Sequence, residues 1–448
     1  MYSTEDDFKT VSDVNCQFNS AAKEKFNNIT IVTITLTLSI VPLLFLKLEK
    51  FDFLFIRLGA IFSLLAAYSV IMIKYIKTIK TVFDRDRINA WLMSYFLILI
   101  ISTFFSENIQ RSIIGQPGRM EGIITIFLYL YLFIIGRTCR IKSNKIFTYT
   151  LIAGILVSLY GIMQFYGYYP FHDEVIKGFG LRPSSTMQNP NFLGTYLVLI
   201  IPISTYLYIF NSKIAGLFGY AVSFYCLLCT STRSAWLGGM FSILCFIIIH
   251  KLTYNIKKSQ IYRYFIIFLV TLLIMAFFNY QTDGKLIRRF LTISDDAKDF
   301  LVEQSDDAGA RRGFIWKRVV QMIGEEPIFG FGIENLLEPY TERYRDEVEE
   351  KYGAESSYTD KAHNEYLNIA VTSGIPSLMI YLYFIILVLK KGLMNLKINT
   401  YFIGLYASVA GYLIQAFFNI SMPVTAYVFW IFLGLLSTDF ASNEEMGA

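Results

Sequence analysis

A succession of apolar runs, each about 17 to 24 residues long, constrains this chain more than any other feature. Crossing the hydrocarbon core of a bilayer takes ~20 residues of helix. No water is present there to satisfy backbone N–H and C=O groups, so only helices and closed barrels span it. Barrel strands are short and alternate in polarity, and these runs do not alternate. Composition agrees: 54% of residues are hydrophobic, 17% are charged and the mean hydropathy is +0.47. A soluble domain carries about 25% charged residues. The expected fold is an all-α integral membrane protein.

About twelve spans are predicted, over 29–47, 51–73, 90–106, 121–137, 146–166, 192–210, 214–231, 234–250, 262–280, 375–390, 400–418 and 422–438. Asp52 and Arg57 blur the start of the second, and 364–374 can be read as an extension of the tenth. Residues 1–28 are polar, with Glu5, Asp6, Asp7 and Asp13, and no cleavage pattern follows the first apolar run. That run is expected to stay as an anchor. The division is therefore 1–28 (cytoplasmic segment), 29–280 (spans one to nine), 281–374 (a large outer loop), 375–438 (spans ten to twelve) and 439–448 (cytoplasmic tail).

Lys and Arg in short loops set the orientation. They crowd after the second span (Lys74, Lys77, Lys80, Arg85, Arg87), the fourth (Arg137, Arg140, Lys142, Lys145), the eighth (Lys251, Lys257, Lys258, Arg263) and the tenth (Lys390, Lys391, Lys397). These loops share one side, which is expected to be cytoplasmic together with both termini. Apart from the 281–374 loop, the outer segments hold few basic residues: Arg111, Arg119, Lys177, Arg182 and Arg233. Positive charge on the side that usually avoids it suggests a task. The net charge of +5 is thus read through its distribution, with no implication of nucleic-acid binding.

Within the outer loop, Phe314, Ile315, Val319, Val320 and Ile323 fall at helical spacing. They predict an amphipathic helix over 310–324, stopped by Gly324 and Pro327. A charged, solvated helix is expected over 338–351, and Phe329-Gly330-Phe331-Gly332 reads as a turn whose aromatics can touch the membrane interface.

Four outer-face residues have the chemistry of a transfer site. Arg233 sits in Thr230-Ser231-Thr232-Arg233-Ser234, pressed between two spans and surrounded by hydroxyls. A guanidinium there can snorkel to the surface or grip a phosphate with its planar fork. Arg182 opens a stretch ending Asn189-Pro190-Asn191. The asparagines fit a helix cap; the arginine needs another reason. Arg312 stands one turn before Trp316, beside Arg311, which is read as the more solvated of the pair. His363, followed by Asn364, lies where the chain re-enters the membrane and is a candidate base near neutral pH. Arginines suit a diphosphate, and the histidine suits an attacking hydroxyl.

Other chemistries find little support. Cys226 and Cys229 have redox-motif spacing but lie in an apolar run and read as core. Asp84-Arg85-Asp86 reads as solvated cytoplasmic loop, while Asp295-Asp296 and Asp306-Asp307 lack companion ligands. No glycine-rich phosphate loop with a lysine is present. Neither a metal nor another cofactor is expected.

At these residues the chain resembles the O-antigen ligase and polymerase superfamily of bacterial membrane glycosyltransferases. Thr232-Arg233-Ser234, Arg182 through Asn191, Arg312 through Trp316 followed by Pro327–Gly332, and His363-Asn364 with Gly374 carry the likeness, in the family's order, from about Ser106 to Gly411. Ser377 stands where the histidine motif usually has a second glycine. The resemblance implies a GT-C-like helical fold in the bacterial cytoplasmic membrane. It also implies metal-independent, inverting transfer from an undecaprenyl (polyprenyl) pyrophosphate-linked glycan to an acceptor hydroxyl on the outer face, in cell-envelope polysaccharide assembly. His363, Arg233 and Arg312 are then catalytic, while Arg182, Asn189, Asn191, Arg119, Trp316 and Asn364 contact substrate. Ligase, polymerase and protein O-oligosaccharyltransferase all remain open. A lipid-linked glycan flippase is the alternative class; it would place charges near the midplane of several spans, whereas here they gather at outer ends.

Overall fold

The computed structural model describes residues 11–45, 53–75, 87–171, 182–298, 306, 308–353 and 359–439. Lys177, the Asp84–Asp86 triplet and Asp307 lie outside them. Every regular element among the described residues is helical. In chain order the helices are α1 Val11–Ser39, α2 Phe53–Met72, α3 Arg87–Phe104, α4 Ile109–Ile114, α5 Ile123–Thr138, α6 Lys145–Phe165, α7 Pro190–Ile209, α8 Ile214–Cys229 and α9 Arg233–Thr253. They continue as α10 Lys258–Gln281, α11 Lys285–Lys298, α12 Ala308–Glu325, α13 Leu337–Tyr352, α14 Glu365–Ser373, α15 Ile375–Asn395, α16 Tyr401–Ala416 and α17 Pro423–Leu436.

Each of the twelve predicted spans coincides with a helix. Eight are long and apolar enough to cross a membrane, and the other four (α5, α8, α16 and α17) are shorter, at 14 to 16 residues. At 1.5 Å per residue a 14-residue helix reaches only ~21 Å. Burial accounts for α17: every one of its residues is buried, so its ends meet protein instead of lipid. The chain is a multi-pass helical membrane protein.

Two helices form the centre. In α7 every residue but Asn191 is buried, and α17 is buried throughout. A helix apolar all round belongs inside a bundle. Around them, backbones approach closely at small residues. A Cβ on Gly434 of α17 would lie 2.2 Å from the Phe133 carbonyl of α5, and one on Gly411 of α16 would lie 2.9 Å from the Gly238 carbonyl of α9. Ser408 adds a hydrogen bond across the bundle, Oγ donating 2.7 Å to the Leu199 carbonyl of α7.

Arg57, which blurred the start of the second span, is an anchor. It is fully buried in α2; its Nη2 donates to the carbonyls of Pro42 (2.8 Å) and Thr186 (2.7 Å), and its Nε to Leu44 (2.6 Å). A guanidinium's rigid spread of donors lets one side chain satisfy three carbonyls. It thereby ties the end of the first span to the turn that enters α7.

The long loop has its own core. Phe314, Val319 and Met322 of α12 pack with Leu336, Tyr340 and Val348. Helix α13, expected to be solvated, thus buries one face against α12; Arg318 with Glu347 and Arg343 with Glu325 edge the contact. The Phe329–Gly332 turn is docked on the bundle. Its Phe331 and Gly332 amides donate 2.9 Å to the Val371 and Thr372 carbonyls, and Phe329 stacks on Phe105 at 4.3 Å. Gly332, at φ +99°, has no room for a side chain: a Cβ would sit 2.1 Å from that of Ser106. Residues 364–374 do not extend the tenth span. Gly374, at φ +89°, breaks α14 from α15, and a Cβ there would meet the Ile328 carbonyl at 1.9 Å. Ser377, in the place of the second glycine, is buried and accepts a 3.0 Å hydrogen bond from Ser373.

Candidate active site at the helix ends

The site residues fall into two groups. The first surrounds the Thr230–Arg233 turn between α8 and α9. Arg182 lies against it, its Nε donating to the Thr230 carbonyl at 2.8 Å and its Nη2 to Asn191 Oδ1 (3.0 Å) and Thr232 Oγ1 (3.1 Å). Asn189 caps α7 through the Asn191 amide at 2.8 Å. So Asn189 shapes the helix entry, and Asn191 holds Arg182. Arg233 opens α9, where its Nη1 donates to Thr292 Oγ1 of α11 at 3.4 Å. Arg289 of α11 donates from Nη1 to the Ser231 carbonyl at 3.2 Å. Burial, and then the neighbouring Arg289 charge, lower the pKa of Arg182.

The second group is the segment 359–365, pinned on every side. Arg119 binds Asp360 bidentately, at 2.7 and 3.2 Å; the structure thus gives this expected substrate contact an acidic protein partner. Trp316 Nε1 donates 3.0 Å to the Ala362 carbonyl, and its ring packs on Phe417 and Phe418. Asn364 caps α14, its Oδ1 accepting from the Tyr366 and Leu367 amides at 3.0 and 3.1 Å. His363 lies between these fixtures at φ +51°, a left-handed conformation uncommon in non-glycine residues. Its ring is mostly packed in protein. Burial first, then the Arg312 charge, push its pKa down to about 4, so the imidazole is neutral near pH 7.

Arg311 is exposed, as expected, with its guanidinium over the Tyr352 ring at 4.2 Å. Asp306 is claimed by Lys317 (2.8 Å) and Lys351 (2.7 Å), which hold its carboxyl down to about 2. Among the described residues no group of three or more His, Cys, Asp or Glu side chains is arranged to hold a metal.

Sequence reasoning passed over a buried ionic triad. Lys361, only 5% exposed at its side chain, pairs with Glu121 (3.0 Å) and with Glu334. Glu121 also accepts from Tyr129 at 3.2 Å and from Ser421, and Glu334 accepts from the Gln116 amide at 3.1 Å. Beside it, Glu365 accepts from Tyr412 (2.9 Å) and Tyr381 (3.3 Å), and burial raises its carboxyl to about 7. These acids face a cavity of about 70 Å³. The only sequence signal was the charged residues Asp360, Lys361 and Glu365 on either side of the histidine.

Helices around a packed centre, with basic and hydroxyl side chains at helix ends beside a folded loop, define a multi-pass helical membrane protein. Residues 218–382, from α8 into α15, match the family model described as O-Antigen ligase. The match encloses Arg233, Arg312 and His363; Arg182 and Arg119 lie before it. No curated protein matches the chain.

Proposed function

We propose that this protein transfers a glycan from a polyprenyl diphosphate carrier to an acceptor hydroxyl on the outer face of the bacterial cytoplasmic membrane. The observation that carries this reading is the neutral, conformationally locked His363 beside Arg312, at the same helix ends as the Arg182–Arg233 turn. His363 takes the proton of the acceptor hydroxyl. That oxygen bonds to the anomeric carbon from the face opposite the leaving group, and the carbon–oxygen bond to the diphosphate breaks with its electron pair. Inversion follows. Arg233, supported by Arg182, and Arg312 meet the charge growing on the leaving diphosphate, which lowers the barrier more than it tightens ground-state binding. A ligase, a polymerase and a protein O-oligosaccharyltransferase differ here in acceptor alone.

Purified protein, reconstituted with a polyprenyl-diphosphate glycan and candidate acceptors, is expected to form the glycosylated product in EDTA, read by mass. Product that appears only with added Mg²⁺ or Mn²⁺ overturns the metal-independent step, and no product with any acceptor overturns the transfer.

The outer position of the loop has its own check. A cysteine replacing Asp346, an exposed residue of α13, is expected to react with a membrane-impermeant maleimide in intact cells. Reaction only after the membrane is opened reverses the topology.

The pH profile tests the base. With His363 near 4, kcat/KM is expected to hold from neutral pH down through 6.5, where an ordinary histidine protonates, and to fall only as pH approaches 4. Arg312→Gln removes a charge that disfavours imidazolium, so its acid limb moves to higher pH. An unmoved limb in that variant separates Arg312 from His363.

A further inference from the structure

Helix α11 brings a second set of cations to the Thr230–Arg233 turn. Lys285, Arg289 and Thr292 stand at i, i+4 and i+7, one face of the helix. Arg289 bonds the turn at the Ser231 carbonyl, 3.2 Å away, and Thr292 accepts from Arg233 at 3.4 Å. Leu286 is buried, and Phe290 packs on Trp236 of α9 at 5.4 Å. So α11 is seated with that polar face on the turn, while Arg288 points to solvent.

The shared surface is incomplete as it stands. Among the described residues no ion pair engages Arg182, Lys285 or Arg289. Burial and then neighbouring arginines depress the pKa of Lys285 and of Arg289. Charges of one sign gathered in partial burial repel, and removing them from water costs more unless an opposite charge arrives. The hydroxyls of Ser231 and Ser234, 1% and 3% exposed, flank Arg233 without a hydrogen-bond partner. Thr232, the N-cap residue of α9, makes no side-chain capping bond. A helix N-terminus, buried hydroxyl donors and fork-shaped guanidiniums are together the equipment of a phosphate site.

We propose that Lys285 and Arg289 form the loop-side half of a diphosphate site, closing on the anion opposite Arg182 and Arg233, and that the bound anion clamps α11 onto the turn. The assignment rests on the donor reading above but concerns a different element. It makes α11 the part of the loop that registers an occupied donor site. One phosphate can be met by the Arg182–Arg233 side alone. Two adjacent phosphates span both sides, so the clamp selects diphosphate over monophosphate.

The test uses the full-length protein in detergent or nanodiscs, with farnesyl diphosphate, farnesyl monophosphate and inorganic diphosphate as probes. Affinity is read by calorimetry and α11 by amide hydrogen exchange. Farnesyl diphosphate is expected to bind more tightly than the monophosphate and to slow exchange in α11. The double variant Lys285→Met/Arg289→Met is expected to lose about 10-fold or more in affinity, the scale of charge-assisted hydrogen bonds, together with the α11 protection. Arg289→Lys, which keeps the charge but not the fork, recovers part of the affinity, and Arg288→Met binds as the parent does. Inorganic diphosphate protecting α11 as well as the prenyl form shows recognition of the diphosphate itself; protection by the prenyl form alone assigns it to the lipid and overturns the clamp. Parent and double variant binding farnesyl diphosphate equally overturns the role of α11 while leaving the donor site intact. A parent that binds neither diphosphate overturns the donor reading and the clamp together.

Discussion

His363→Ala is expected to cut glycan transfer by about 10²- to 10⁴-fold, the usual contribution of a positioned acid–base group, while donor binding and folding stay near those of the parent. Its surroundings explain the size of the loss. The backbone at φ +51° is held by the Asp360 pair to Arg119, the Trp316 bond to Ala362 and the Asn364 cap. None of those contacts passes through the imidazole, so truncating the ring leaves the segment standing. What disappears is a neutral nitrogen held ready to accept a proton. On the proposed mechanism the arginines remain to meet the leaving diphosphate, so binding is expected to survive. Transfer rate and donor affinity should therefore be measured side by side on the folded variant. A His363→Ala enzyme with full activity removes the base from the mechanism. One that neither transfers nor binds shows that the ring holds the donor.

Much of this arrangement was legible in the chain, because membrane insertion writes itself into sequence. A span must be apolar over its whole length, and each predicted run meets a helix. The α12 periodicity likewise predicted 310–324 where the helix runs Ala308–Glu325. Less legible were the features made by distant residues meeting. Arg57 looked like a flaw in a span; its partners, Pro42 and Thr186, come together only when two turns distant in sequence pack. Solvation was the simple expectation for α13, since its charges dominate its sequence and the face it buries shows only against α12. Arg119 and Asn364 were expected as substrate contacts from the family resemblance. Their partners, Asp360 and the first amides of α14, turn both toward holding the His363 segment in place. Lys285 and Arg289 were hidden for a similar reason. Basic residues at a loop entrance resemble ordinary interface anchors until the helix carrying them is seen against the Ser231 turn.

The Glu121–Lys361–Glu334 triad was least visible of all, and its disruption is the other large effect expected. Lys361→Met removes one cation from between two carboxylates whose side chains are 6% and 1% exposed. Breaking a buried pair by deleting one partner costs about 3–5 kcal/mol, because the remaining charge stays buried without compensation. Here two charges remain, so thermal unfolding in detergent should fall by at least that scale. A companion variant separates charge from shape. Lys361→Met/Glu121→Gln/Glu334→Gln keeps the volumes and removes every formal charge. Replacing a whole buried ion network with neutral groups is often nearly neutral in stability, so this variant should unfold close to the parent. Its transfer rate should nevertheless stay low. Lys361 lies two residues from His363, and the three charges tie the segment to the Gln116–Glu121 stretch on one side and the Glu334 turn on the other. A network that fixes register more than it adds stability predicts this split. Lys361→Met as stable as the parent would show that the carboxylates find other partners. A stable, fully active triple variant would show that the histidine segment is positioned without them.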